Sequence, residues 1–421
     1  MKQNFFKLWQ NTQIKKILTN TFSLVILKGS NYIFPLVLLP YLIRVLGVEG
    51  FGLLAFATAT VNMLRGFVSY GFDLSGTQLI SRNYNKKEKL IKIFNSILIV
   101  KFLLALCLFI FLLSLVFFVD KLHLHWEIFI LTALLMFTDV LFPIWFFQGM
   151  EKMKIITYLK ISHKSLFVLL ILIFVNNQND IFLVPLLDAI GAFIVGIIAL
   201  KIVREDFNMV FKKQKYIQII FQLKYGWHVF LSKIAVILYT SLNTFVLGLL
   251  TNNESVGYYS LAEKIYMAIR GLYSPFIQAL FPYLSKLYLK NQSKYFLLVK
   301  KITIGYFLSL VLISCLLYSF SSEIVYLISG KNIINTINIL NILSISVVFS
   351  IGSLYSIFLI IKNQGKILSK ITFISMLFNV LFVYPLISLY GIYGLAYLFL
   401  SVQIFQTLLQ LKYNKEIFLK R

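Results

Sequence analysis

The sequence predicts an all-α membrane protein that crosses the bilayer about twelve times, in two matched halves of six helices. Three observations carry this. The 421 residues are 59% hydrophobic and only 13% charged, with a mean hydropathy of +0.86, whereas soluble domains hold about 25% charged residues. Twelve apolar segments are each near or above the ~20 residues a helix needs to span ~30 Å of hydrocarbon. Thirty of the 40 Lys and Arg residues fall in alternate connections, as the positive-inside rule requires. Spans of this length must be helical, because only a helix or a closed barrel satisfies its backbone polar groups in lipid.

The segments follow in order. The first, residues 18–44, is preceded by four cations. The second, 51–72, leads to five cations in 80–92. The third and fourth, 94–119 and 127–149, enclose Lys121 and lead to three cations in 152–160. The fifth and sixth, 158–176 and 181–200, end at the longest and most basic connection, 201–224, with six cations. That loop sets the expected boundary between an N-terminal bundle, 1–210, and a C-terminal bundle, 211–421. The seventh and eighth segments, 226–250 and 256–282, lead to five cations in 286–301. The ninth and tenth, 302–320 and 334–361, lead to three in 362–370, and the last two, 370–388 and 392–411, to four in 412–421. The other side carries only Arg44, Lys121 and Lys331. Both termini are therefore expected in the cytoplasm, and no cleavable signal peptide is predicted. The net charge of +25 reads as topology signal and attraction to anionic lipid, not as a nucleic-acid footprint. Six crossings per half give both halves one orientation, as in parallel-repeat transporters. Pro35, Pro143, Pro185, Pro275 and Pro282 suit kinks or helix ends.

The halves echo each other at an offset of 205 residues. Lys28 pairs with Lys233, Glu49 with Glu254, Gly52 with Gly257, Arg65 with Arg270 and Gly66 with Gly271. Eight of 44 positions are identical over 28–71, and three of the four charges in that window recur. Charge in a bilayer is costly and is retained where it is used. Matched cations therefore suggest an internal pathway with positive charge in both halves.

The cations within segments are Lys28, Arg65, Lys101, Lys164, Lys233, Lys264 and Arg270; the acids are Asp139, Asp188 and Glu263. Lys101 and Lys164 lie within two turns of a cytoplasmic end and read as snorkelling side chains. Lys28, Arg65, Lys233 and Arg270, with Lys264, are the candidate substrate-binding cations; a structural ion pair is the competing reading. Helical spacing puts Lys28, Asn31 and Pro35 on one face, Thr58, Asn62 and Arg65 on another, and Glu263, Tyr266 and Arg270 on a third. A cationic lumen selects an anion. Arginine suits phosphate through its bidentate fork, and lysine acts as a point charge. Asp139 and Glu263 are candidate carriers of a coupling ion, with neutralisation of neighbouring cations as the alternative. Catalytic motifs, nucleotide loops and acidic metal pairs are absent. His123 and His125 form a His-x-His in an outer loop without a third ligand, so no metal site is expected. His163 and His228 read as isolated. Cys107 and Cys315 read as small hydrophobes.

Several runs resemble one family. Phe34-Pro35, Pro40-Tyr41-Leu42, Arg44, Leu46-Gly47 and Gly50-Phe51-Gly52 resemble the opening of bacterial O-antigen flippases. Tyr70-Gly71-Phe72 and Ile80-Ser81 continue the likeness. The stretch from Pro143-Ile144-Trp145-Phe146-Phe147 through Gln148-Gly149-Met150-Glu151-Lys152-Met153 is its most specific part. Gly257-Tyr258-Tyr259, Ala262-Glu263-Lys264 and Phe281-Pro282 carry it to residue 285. The resemblance implies a MATE-like fold of two six-helix bundles around a central cavity. It also implies flipping of an undecaprenyl-pyrophosphate-linked oligosaccharide from the cytoplasmic to the periplasmic leaflet of the inner membrane. Expected partners are that lipid-linked sugar, the bilayer, and the polysaccharide polymerase and chain-length machinery. No cofactor is expected beyond a proton or sodium gradient. A multidrug or ion antiporter shares the fold but would favour acids in the lumen. A membrane polymerase would need a sizeable outer loop for transfer chemistry.

Overall fold

The computed structural model describes the backbone of residues 12–415 and Ile417, and the side chains in that range except those of 12–28, 31–33, 232, 235, 236, 238–240, 274, 275, 278 and 279. The described residues form helices and short turns, with no strand among them. In chain order the helices are α1 (Thr12–Ser69), α2 (Phe72–Arg82), α3 (Lys87–Phe118), α4 (Asp120–His123), α5 (Trp126–Leu141), α6 (Ile144–Gly149), α7 (Met153–Phe174) and α8 (Leu183–Glu205). There follow α9 (Tyr216–Thr240), α10 (Leu242–Leu250), α11 (Asn253–Gly271), α12 (Ser274–Lys290), α13 (Gln292–Ser319), α14 (Ser321–Ser329), α15 (Ile334–Val348), α16 (Gly352–Ile361) and α17 (Gly365–Lys412). Eight stretches among the described residues are long and apolar enough to cross a membrane, from Phe34–Arg82 to Gly365–Lys412. This is an all-α, multi-pass membrane protein.

All twelve expected segments fall on helix, but their ends and breaks follow local chemistry. The first two segments are one run, α1, bent at Gly47 with φ 73° and ψ 174°. The last two are likewise one run, α17, bent at Gly391 with φ 55° and ψ −131°. Both values lie where a Cβ is penalised, so glycine takes the corner. Other segments break internally. Phe142-Pro143 separates α5 from α6, because proline has no N–H to continue the ladder. The eighth segment divides at Leu272-Tyr273 into α11 and α12.

The chain divides into two compact units. One comprises Met1–Pro35 and Thr60–Ile234, the other Leu36–Ala59 and Ala235–Arg421. Neither is a continuous half, so the packing units cross the 210/211 boundary read from the basic loop. The core of the first unit gathers Tyr70, Phe72, Ile80, Phe94, Ile97, Trp145, Phe146 and Phe147. Trp145, Phe146 and Phe147 are at most 1% exposed. They fill the contact of α6 with α2, where Gly76 leaves the space: a Cβ there would come within 3.2 Å of the Trp145 ring. The most specific stretch of the family resemblance is thus a packing motif.

In the second unit the repeat has a physical explanation. Gly52 and Gly257 mark a crossing of two matched helices. A Cβ on Gly52 would fall on the Asn253 carbonyl and 2.6 Å from the Gly257 nitrogen, and one on Gly257 would fall on the Val48 carbonyl. Backbones approach this closely only where both residues lack side chains. Glu254 lies in the first turn of α11 behind the Asn252 N-cap, whose side chain accepts from the Ser255 N–H at 2.9 Å. Glu49 occupies the matching place just after the Gly47 bend. An acid at a helix start is favoured by the backbone dipole. Deeper in this unit Asn243 and Asn379 exchange amide hydrogen bonds at 3.2 and 2.8 Å.

Candidate functional site

The charged residues of the first unit meet at the ends and bends of its helices. Asp139 stands in the last turn of α5. Arg65, on α1, grips it with two parallel bonds: Nε donates to Oδ2 at 2.7 Å and Nη2 to Oδ1 at 2.9 Å. Asn62, three residues earlier and so on the same face, accepts from Nη1 at 3.0 Å. The side chains of Arg65 and Asp139 are 30% and 35% exposed. This geometry is the strong form of the arginine–carboxylate pair.

Lys101 departs from the snorkelling reading. It is 5% exposed, and its ammonium donates to the main-chain oxygen of Asp139 at 2.5 Å. The reason lies in the chain. That oxygen would ordinarily accept from the N–H four residues on, but residue 143 is proline and has none. Lys101 supplies the missing donor from α3.

A second ion pair joins two other elements. Asp73 lies in the first turn of α2, directed by the turn at Tyr70-Gly71, with φ 44° and 71°. Lys233 Nζ donates to Asp73 Oδ2 at 2.5 Å. The first part of α9 reaches this position by packing on the turn. Phe230 stacks on Tyr70 with ring centroids 4.3 Å apart, and Gly226 leaves 3.1 Å between a notional Cβ and the Tyr70 ring. The Tyr70 hydroxyl donates to the Leu223 carbonyl at 3.2 Å. Asp73, Asp139, Arg65 and Lys233 all lie within electrostatic range of Lys101, and Lys160 lies within range of Asp139. Five cations, Arg65, Lys101, Lys160, Lys164 and Lys233, and three carboxylates, Asp73, Asp139 and Asp188, are thus linked in one electrostatic group with two positive charges in excess.

The remaining candidates separate from this group. Lys28 lies among the residues whose side chains are outside the described set. Arg270, Lys264 and Glu263 lie on α11 in the second unit. Lys264 is exposed and sits over the Phe51 ring at 4.8 Å. Arg270 is half-buried, with no carboxylate partner among the described residues, and lies within electrostatic range of Tyr306. The matched arginines therefore differ: one is held by an aspartate and the other is not. Sequence reasoning missed Asp73 and Lys160, which fall just outside the apolar segments or at their edge, and misread two further residues. Lys101 was obscured because distance from a segment end says nothing about a neighbouring helix. His163, read as isolated, bonds to Asp188 on another helix. Among the described residues no group of three His, Cys, Asp or Glu could hold a metal ion.

A family model described as "Polysaccharide biosynthesis protein" matches residues 17–288. The chain is 32% identical over 405 residues to an Escherichia coli K12 protein named "Putative O-antigen transporter", covering 96% of this chain and 98% of that one. A Shigella dysenteriae protein of the same name is 32% identical over 396 residues, covering 93% and 98%. Among solved structures the fold is similar to that of the lipid II flippase MurJ in an inward closed conformation, with a TM-score of 0.74 and 16% identity, covering 96% of this chain and 89% of that one. It is also similar to an inward-facing multidrug resistance MATE family transporter of the MOP superfamily, with a TM-score of 0.66 and 15% identity, covering 93% and 95%. At these identities the structural likeness concerns the fold.

Proposed function

Because this chain belongs to the polysaccharide biosynthesis protein family, we propose that it is a transporter of lipid-linked oligosaccharides. In this reading the cargo is an undecaprenyl-diphosphate-linked O-antigen unit or a close relative. It moves from the cytoplasmic to the periplasmic leaflet of the inner membrane, with both termini of the protein cytoplasmic. The observation that carries the reading is the charge excess around Asp73, Asp139 and Asp188. A diphosphate is the anion that two surplus cations in a low-dielectric setting favour, and arginine and lysine are the donors suited to it. Arg270 and Lys264 extend the positive character to the second unit. A polar headgroup does not cross ~30 Å of hydrocarbon unaided, so the protein shields it while the lipid tail stays in the bilayer. A cation antiporter is less well supported, since Asp73 and Asp139 are both already held by cations.

The reading is tested in a deletion strain by mass spectrometry of its lipid-linked sugars. The expected result is accumulation of complete undecaprenyl-diphosphate-linked units with loss of surface polymer, reversed by the wild-type gene. Normal polymer with no accumulated intermediate contradicts the cargo assignment.

A further inference from the structure

Helices α7 and α8 pack together in the first unit, and His163 and Asp188 meet at their contact. His163 Nε2 lies 3.1 Å from Asp188 Oδ1 and 3.1 Å from the Asp188 main-chain oxygen. The imidazole fits because residue 191, one turn beyond Asp188, is glycine: a Cβ there would lie 2.9 Å from His163 Cδ2. Phe167, one turn further along α7, bounds the ring at a centroid distance of 6.5 Å. The two side chains are 21% and 30% exposed. The site is therefore built by a notch in one helix and a ring on the other.

The charges around it come from every element packed nearby. Lys160 and Lys164 flank His163 on α7, and Lys164 lies within electrostatic range of Asp188. Arg65 on α1 also lies within range of Asp188 while holding Asp139 of α5. The short α6, packed on α7, has no titratable group. Glu127 opens α5. Asp180, in the turn before α8, accepts from the backbone amides of Asn176 and Asn177 at 2.9 Å. Lys201, Arg204 and Glu205 belong to the far end of α8.

We propose that His163 and Asp188 form a proton-binding site, and that the charge on the imidazole decides how Arg65 is shared between Asp188 and Asp139. With the proton bound, the four groups resolve into two pairs, His163 with Asp188 and Arg65 with Asp139. When the proton leaves to solvent, the imidazole is neutral and Asp188 keeps its charge. Opposite charges attract steeply at low dielectric, so Asp188 draws Arg65 and loosens its grip on Asp139. The proton thus binds the Arg65–Asp139 arrangement more tightly than the alternative, which is the differential affinity that any ion needs in order to shift an equilibrium. As the point where a proton gradient drives transport, the site rests on the function proposed above; as a proton-binding site it does not.

The test uses full-length protein in nanodiscs of phosphatidylethanolamine and phosphatidylglycerol, without cargo. The arginine Nε resonances are followed by NMR, with Arg65 assigned by its loss in Arg65→Lys. As the pH is varied, the Arg65 resonance moves in wild type, and the movement is at least about fivefold smaller in His163→Gln and Asp188→Asn. An Arg65 resonance that stays still in wild type overturns the proposal, as does one that moves equally in His163→Gln. If Asp188→Asn does not fold, the wild-type and His163→Gln arms decide alone. No readout uses cargo, so failure of the cargo assignment and failure of this site are told apart.

Discussion

Pro143 cannot give the Asp139 carbonyl its helical hydrogen bond, and Lys101 replaces it from another helix. The charge of Lys101 is thereby tied to a backbone need. Lys101→Met keeps most of the volume but leaves a buried carbonyl unsatisfied, a loss of about 1–3 kcal/mol. Thermal melting in detergent is expected to show this, and Pro143→Ala in the same background is expected to restore part of it by returning the N–H. Had Lys101 been a snorkelling residue, Lys101→Met would leave the melting temperature unchanged. The Arg65–Asp139 pair makes a companion case. Removing one partner strands a charge, which costs ~3–5 kcal/mol when burial is complete. About a third of each side chain is exposed, so roughly 2 kcal/mol is expected for Arg65→Ala or Asp139→Ala at this degree of screening. The double variant is expected to melt above the Arg65→Ala single, and purely additive losses would contradict the pairing.

At the scale of elements, the repeat resolves into residues kept for different reasons. Glu49 and Glu254 stand at helix starts, Gly52 and Gly257 allow a helix crossing, and Arg65 is held by Asp139 while Arg270 has no carboxylate partner among the described residues. An identity at a fixed offset could not separate these roles, because each depends on what lies across the interface. Gly52→Ala places a methyl group on a backbone carbonyl that cannot swing away as a side chain can. A loss of about 1–3 kcal/mol or more is expected, the range of overpacking, seen as lower membrane yield and a lower melting temperature. Gly305, with open space around its Cβ position, is the control: Gly305→Ala should cost nothing. The contact of α2 with α6 behaves in the opposite sense. Trp145→Ala leaves a cavity and is expected to cost ~3–5 kcal/mol.

For the molecule as a whole, the spans were legible and their partners were not. Hydropathy fixes where a helix must lie, since the bilayer imposes one length on every crossing. It carries no information on which helices touch, so the interleaved units, the burial of Lys101 and the pairing of His163 with Asp188 all escaped it. The signals were present in weaker form. Pro143 announced an orphan carbonyl, and Gly191, three residues after one of the few acids within the spans, announced a notch. Arg65 was legible because an arginine in the middle of an apolar span is rarely without a use. The direct test of its use is transport by purified protein in vesicles loaded on one leaflet with a fluorescent undecaprenyl-diphosphate oligosaccharide. Wild type is expected to move the cargo across the bilayer at least about tenfold faster than Arg65→Ala at equal incorporation, equivalent to ~1.4 kcal/mol. Wild-type vesicles that move the cargo no faster than protein-free ones, or Arg65→Ala vesicles that match wild type, would contradict the account.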